Sequence, residues 1–274
     1  MTSNVVNGLG WEVRLRGSGR PLLLLHGFTG RGSSWGTHAT AFARRFRVIS
    51  VDLPGHGRSG TASPERLTVE RTADDLAVIL HILRAMGAPP AVVVGYSLGA
   101  RIALRLAIAH PHAVAALVLE SPSAGFATAA ERDARRAADE ELAASIERDG
   151  IPAFVAAWER NPVFASHAAL SPARAQRQRV IRLANRPDGL AASLRGAGQG
   201  VMEPLHDRLR EIAVPTLVIA GAVDPARRRA EIVAHGIPGA RLVVIDGAGH
   251  TPHEEQPATF RRLALDFLQE VPAA

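Results

Sequence analysis

The sequence predicts an α/β fold with a mostly parallel central sheet, helices on both of its faces and a helical insertion in the second half. Three observations carry that prediction. Short runs of purely apolar residues recur, stretches of helical spacing lie between them, and the strand-like runs stop between residues 122 and 205 before resuming. A strand without polar alternation is buried on both faces, as in a parallel sheet layered between helices.

Taken in order, residues 21–25, 48–51, 91–94 and 116–119 read as buried strands. Residues 68–86 read as a helix, because Leu76, Ile79, Leu80 and Leu83 recur on one face and Gly87 stands at the stop position. A second helix opens at Ser97 and ends before Pro111. Residues 122–205 then read as helices rich in Ala, Arg and Glu, with breaks expected at Gly150-Ile151-Pro152, Asn161-Pro162, Ser171-Pro172 and Pro187-Asp188-Gly189. The βα pattern resumes with a strand at 216–220, a helix at 226–235, a strand at 241–245 and a helix at 257–269. The expected organisation is a core of residues 1–121 and 206–274 with a helical lid of residues 122–205. Such an insertion is too long for a structureless loop. It is expected over the carboxyl ends of the strands, where open α/β sheets bind ligands.

Composition excludes several classes. With 47% hydrophobic and 21% charged residues among 274, the chain has the balance of a globular protein. It has no Cys, hence no disulfide framework and no thiolate metal site. All 32 basic residues are Arg and the net charge is +6, but the arginines are scattered rather than gathered in a tail or stripe, which argues against nucleic-acid binding. Met1–Gly10 lacks a basic segment followed by an apolar one, and no apolar run could span a bilayer. A cytoplasmic protein without membrane insertion is expected. No Gly-x-Gly-x-x-Gly, Walker or His-Glu-x-x-His pattern is present, so neither a cofactor nor a metal is expected.

The chemistry is carried by Gly95-Tyr96-Ser97-Leu98-Gly99. This Gly-x-Ser-x-Gly follows a strand and opens a helix, the context of a nucleophile elbow. Its tight turn demands small neighbours and lifts the Ser97 hydroxyl above the sheet, with the Leu98 N–H aimed where an oxyanion would form. Asp224 follows the strand at 216–220 and His250 the strand at 241–245, so a catalytic triad of Ser97, Asp224 and His250 runs in the chain order Ser, acid, His. Asp224, ahead of Pro225, also suits a helix cap. The loop His26-Gly27-Phe28-Thr29-Gly30 is placed to supply a second oxyanion donor, the Phe28 N–H. His26 is read as a buttress of that loop, and Asp52 and His56 as residues holding the turn Asp52-Leu53-Pro54-Gly55-His56-Gly57.

In these motifs the chain resembles the α/β-hydrolase fold. Further stretches resemble one family within it, the 2-succinyl-6-hydroxy-2,4-cyclohexadiene-1-carboxylate synthases of menaquinone (vitamin K2) biosynthesis. They are Glu120-Ser121-Pro122-Ser123-Ala124-Gly125, Glu131-Arg132 with Arg135-Arg136 and Asp139, Trp158 through Asn161-Pro162-Val163-Phe164-Ala165-Ser166, and Arg182-Leu183-Ala184-Asn185-Arg186-Pro187-Asp188-Gly189-Leu190-Ala191. Ser193-Leu194-Arg195-Gly196 and Gly198-Gln199-Gly200 complete the set.

The resemblance implies a lyase that eliminates pyruvate from a cyclohexene bearing several carboxylates, with the triad abstracting a proton. It also implies substrate contacts from Tyr96, Arg101, Arg135, Trp158, Phe164 and Arg182. Arg suits that task, since its planar fork grips a carboxylate through two hydrogen bonds. Arg101, Arg135 and Arg182 are accordingly expected to converge on Ser97. Two departures from the family pattern stand out: Ala100 where a Gly usually follows Gly99, and Pro225-Ala226 where a basic and an aromatic residue are more usual. The core motifs alone also fit a hydrolase of esters or C–C bonds, or a ligand-binding protein that has kept the triad.

Overall fold

A computed structural model describes residues 4–272. Residues 1–3 and 273–274, the tips of the expected core and the start of the segment read for a leader, lie outside them. The strands are β1 (Asn4–Val6), β2 (Leu9–Trp11), β3 (Val13–Arg16), β4 (Pro21–Leu25), β5 (Arg47–Val51), β6 (Ala91–Tyr96), β7 (Val114–Glu120), β8 (Thr216–Gly221) and β9 (Arg241–Ile245). β1 and β2 pair as a separate antiparallel hairpin. The main sheet has the order β3-β5-β4-β6-β7-β8-β9, and its pairs are parallel except for β3 with β5.

The apolar strands sort their side chains between two cores. Along β4, Leu23 and Leu25 face one core while Leu22 and Leu24 face the other. Alternate residues of a strand point to opposite faces, so a layered sheet needs every position apolar. The first core is completed by α2 (Val69–Ala85), α3 (Leu98–Ala109) and α7 (Arg227–Gly236); the second by α1 (Gly36–Phe42) and α8 (Pro257–Glu270). α2 buries Leu76, Ile79 and Leu80, as its stripe predicts, with Leu83 only half-buried.

Between β7 and β8 the chain forms α4 (Ala129–Trp158), α5 (Pro172–Leu183) and α6 (Pro187–Ala197), with a 3-10 stretch at Pro162–Ala169. Thr128 and Glu131 cap α4 reciprocally, each side chain taking the other's backbone N–H. Gly150, at φ 78° and ψ 170°, kinks α4 ahead of Pro152, as expected. The break expected at Pro187-Asp188-Gly189 falls instead at residues 184–186, because Pro187 heads α6 in the position where its missing N–H costs nothing. Gly189 serves a different purpose. A Cβ there would collide with the Gly55 carbonyl, so α6 packs backbone to backbone on the turn that precedes α2. These helices bury Ile146, Phe154, Val155, Leu190 and Leu194 in a core of their own. No helix among the described residues is long and apolar enough to cross a membrane.

Candidate active site

The elbow between β6 and α3 sets the position of Ser97. Its backbone adopts φ 49° and ψ −104°, outside the ordinary regions for an L-residue. The flanking glycines are required by contact rather than by dihedral. A Cβ on Gly95 would lie 2.6 Å from the Gly99 carbonyl oxygen, and one on Gly99 would strike the Leu25 carbonyl. Ala100 is fully buried in the core beside this turn, so the departure there adds a methyl to the packing.

His250 reaches Ser97 from the loop after β9. Its Nε2 lies 3.3 Å from Ser97 Oγ, and its Nδ1 lies 2.9 Å from Asp224 Oδ2. Asp224 Oδ1 meanwhile accepts the Ala226 N–H at 2.8 Å, so the acid caps the turn into α7 while orienting the imidazole. Burial pushes the Asp224 carboxyl up, but the hydrogen bond and charge of His250 outweigh it and hold the group below the usual carboxylate range. Ser121 adds a support that its sequence did not advertise. At φ 46° its hydroxyl donates to the His250 carbonyl at 3.0 Å and lies beside Asp224. Glu255 holds the same loop, accepting from the Gly249 and Thr251 N–H groups at 2.7 and 3.0 Å.

The Phe28 and Leu98 N–H groups donate to no protein acceptor among the described residues. The loop that carries Phe28 is fixed by His26, whose Nε2 accepts the Leu53 N–H at 2.9 Å while its Nδ1 donates to the Gly27 carbonyl at 2.8 Å. Burial lowers the His26 pKa to about 4, which suits a neutral strut. Asp52 accepts from Gly32 N and Arg58 N, and His56 donates to the Pro54 carbonyl, so both tie the turn as expected. Asn185 clamps this region to the helical block, accepting from Gly57 N at 3.0 Å and donating to the Thr29 carbonyl at 2.8 Å.

Above Ser97 lies a cavity of about 340 Å³ whose walls include Tyr96, Leu98, Arg101, Arg135, Asp139, Trp158, Phe164, Gln199, Arg229 and His250. Trp158 packs edge-on against Phe28 and Phe164, giving the cavity an aromatic side. Arg101 and Arg135 give its lining a cationic part. Arg101 donates to the Ala197 carbonyl at 2.7 Å, and burial together with the charge of Arg135 lowers its pKa to about 9. Arg135 pairs with Asp139 at 2.8 Å.

Arg182 stands elsewhere. It lines an adjoining cavity of about 60 Å³ that shares Phe28, Tyr96 and Phe164 with the first. Its guanidinium lies over the Phe164 ring and is held by Gln178 at 3.0 Å and Glu159 at 3.4 Å. Of the three arginines expected to converge, Arg101 and Arg135 line the cavity above Ser97, and Arg182 lines the adjoining one with its guanidinium over Phe164. Arg229, which sequence reasoning did not single out, takes the third place. In the adjoining cavity His253 is paired with the buried Glu120 at 2.8 Å. Among the described residues no group of three or more His, Cys, Asp or Glu is placed to hold a metal ion.

A Ser in the turn after β6, an Asp in the loop after β8 and a His in the loop after β9 of a mostly parallel sheet match the arrangement of the α/β-hydrolase fold, and the family model of that fold matches residues 20–257. Within it, the chain belongs to the 2-succinyl-6-hydroxy-2,4-cyclohexadiene-1-carboxylate synthase family. It is 32% identical over 239 residues to the synthase of Citrobacter koseri, covering 86% of this chain and 89% of that one. It is 38% identical over 252 residues, 91% of this chain and 90% of the other, to a Bacillus subtilis protein given the same name provisionally. The solved structure of MenH from S. aureus superposes with a TM-score of 0.89 at 33% identity, covering 95% of this chain and 98% of that one.

Proposed function

We propose that this protein is a carbon–oxygen lyase. It eliminates pyruvate from 2-succinyl-5-enolpyruvyl-6-hydroxy-3-cyclohexene-1-carboxylate and yields 2-succinyl-6-hydroxy-2,4-cyclohexadiene-1-carboxylate. The observation that carries this reading beyond the family is the cavity itself, whose lining brings arginines and aromatic side chains together with Ser97 and His250. A hydrolase of neutral esters has no use for those cations.

The chemistry follows from the bonds. The ring carbon bearing the succinyl group is acidic because its carbanion delocalises onto the neighbouring ketone. His250 takes the Ser97 hydroxyl proton, oriented and stabilised by Asp224, and the Ser97 oxygen abstracts the ring proton. Charge then develops on the ketone oxygen, where the Phe28 and Leu98 N–H groups would stabilise it. The electron pair moves through the ring double bond and expels the enolpyruvyl oxygen, giving the diene. The released enolate takes up a proton at carbon to become pyruvate, balancing the proton that His250 took and then gives up, and no water is consumed. Tyr96, Trp158 and Phe164 would shape the apolar side of the site, and Arg101 and Arg135 would grip carboxylates. Arg182 would serve from the adjoining cavity, for a carboxylate that extends past Phe164. Residues 122–205 would act as the lid over a core of residues 1–121 and 206–274, excluding water from the carbanion.

The test is to incubate the purified protein with the cyclohexene precursor and follow pyruvate with lactate dehydrogenase. Stoichiometric pyruvate with appearance of the diene chromophore is expected. Hydrolysis of simple esters without pyruvate release would reject the reading in favour of a hydrolase.

A further inference from the structure

We infer that Arg229 is a specificity-determining residue that binds a carboxylate of a multiply anionic substrate, a role that rests on the lyase reading above. Arg229 lies on α7, the helix that Asp224 introduces, and lines the same cavity as Ser97, Arg101 and Arg135. Three arginines occur in a row at its start. Arg227 and Arg228 pair with Glu231, at 3.1 Å each, on the outer side of the helix. Successive helical residues are rotated by about 100°, so the third turns toward the cavity. Ala226, whose side chain is a methyl, lines the wall beside it and leaves the space open.

Arg229 is held in place without being neutralised. Its guanidinium lies over the Phe126 ring at 4.7 Å and donates to Gln199 Oε1 at 3.3 Å, an oxygen that Ser123 also holds at 3.0 Å. Among the described residues no carboxylate forms an ion pair with it, nor with Arg101. Burial, and then the charge of Arg135, disfavours its protonated form. The cavity wall thus sets three guanidiniums against the single carboxylate of Asp139, a net two positive charges. Holding like charges together is unfavourable until an anion arrives, and the complement of this wall is a ligand with at least two carboxylates. The succinyl and ring carboxylates of the proposed substrate supply them.

The experiment compares wild type, Arg229→Gln, Arg229→Lys and Arg228→Gln for pyruvate release, for competitive inhibition by succinate, and for melting temperature. Pyruvate release by wild type tests the lyase reading alone; the variants are compared only against that activity. If Arg229 binds a substrate carboxylate, Arg229→Gln raises KM on the order of tenfold to hundredfold, the loss expected for a charged hydrogen bond. Its kcat stays near that of wild type, as for binding shared by ground and transition states. Succinate inhibition weakens in parallel, Arg229→Lys falls between, and Arg228→Gln matches wild type. The melting temperature of unliganded Arg229→Gln equals or exceeds that of wild type, because a repelling charge has gone. An unchanged KM and succinate inhibition in Arg229→Gln would overturn the inference. So would a fall in melting temperature with kcat and KM both impaired, which would make Arg229 a structural residue.

Discussion

At the scale of single residues, Ser97 occupies backbone angles that cost a non-glycine residue on the order of 1–3 kcal/mol, and the glycine contacts of the elbow hold it there. What the strain achieves is placement: Oγ lies 3.3 Å from His250 Nε2, within hydrogen-bonding reach. Ser97→Ala is expected to fold normally and lose activity by a factor on the order of 10³ or more, and His250→Ala by a similar factor. The double variant should lose little more than either, since the residues act as one unit. Multiplying losses in single-turnover assays would show that they do not. Ser97, Asp224 and His250 stand out in the sequence because each lies in a turn or loop that follows a strand and their order is distinctive, and the structure brings the three side chains together. The arginines do not stand out. Where every basic residue is Arg, the letters do not say which ones turn inward, and Arg229 sits in a run of three whose directions only the helix settles.

At the scale of elements, the helical block and the sheet meet through a few polar clamps. Asn185 bridges the Gly57 N–H and the Thr29 carbonyl, one residue from Phe28. Asn185→Ala would leave both backbone groups buried without partners, at a cost of about 1–3 kcal/mol each. Because the Thr29 tether lies next to the proposed oxyanion donor, kcat should fall along with stability. A drop in melting temperature with unchanged kcat would separate the clamp from the catalytic loop. Elements were legible to the degree that burial was two-sided. β4 and β6 are apolar throughout and were evident, whereas β3 exposes Arg14, Leu15 and Arg16 at a sheet edge and gave no pattern. Gly189 and Pro187 read as a break because the sequence does not show that one heads a helix and the other touches Gly55.

At the scale of the whole molecule, buried histidines set the acid limit. Burial lowers the pKa of His26 and His167 to about 4 and of His38 and His56 to about 3, from an ordinary 6.5. These groups are neutral when folded and take up protons when unfolded. Their contribution is complete above pH 6.5 and is lost as pH falls toward 4 and 3, about 3 kcal/mol for His26 alone. His253 has the opposite sign. Burial opposes its charge, but Glu120 overrides that and raises its pKa, so its contribution is present below pH 6.5 and fades as pH rises through the raised value. Four groups outweigh one. The melting temperature should therefore fall between pH 6.5 and 5, before most carboxylates titrate. A flat profile there would mean that these rings are not buried neutral in solution.

The central claim is that the cationic wall recognises carboxylates during a lyase reaction. The most direct measurement is kcat/KM for pyruvate release and for hydrolysis of a small neutral ester, both on Arg101→Ala and Arg135→Ala. Each substitution should weaken pyruvate release by about 2–4 kcal/mol, because a desolvated carboxylate loses its charged partner. Ester hydrolysis, with no carboxylate to hold, should change little. Equal losses on the two substrates would contradict the account, leaving these arginines as supports of the fold rather than the reason this cavity selects its substrate.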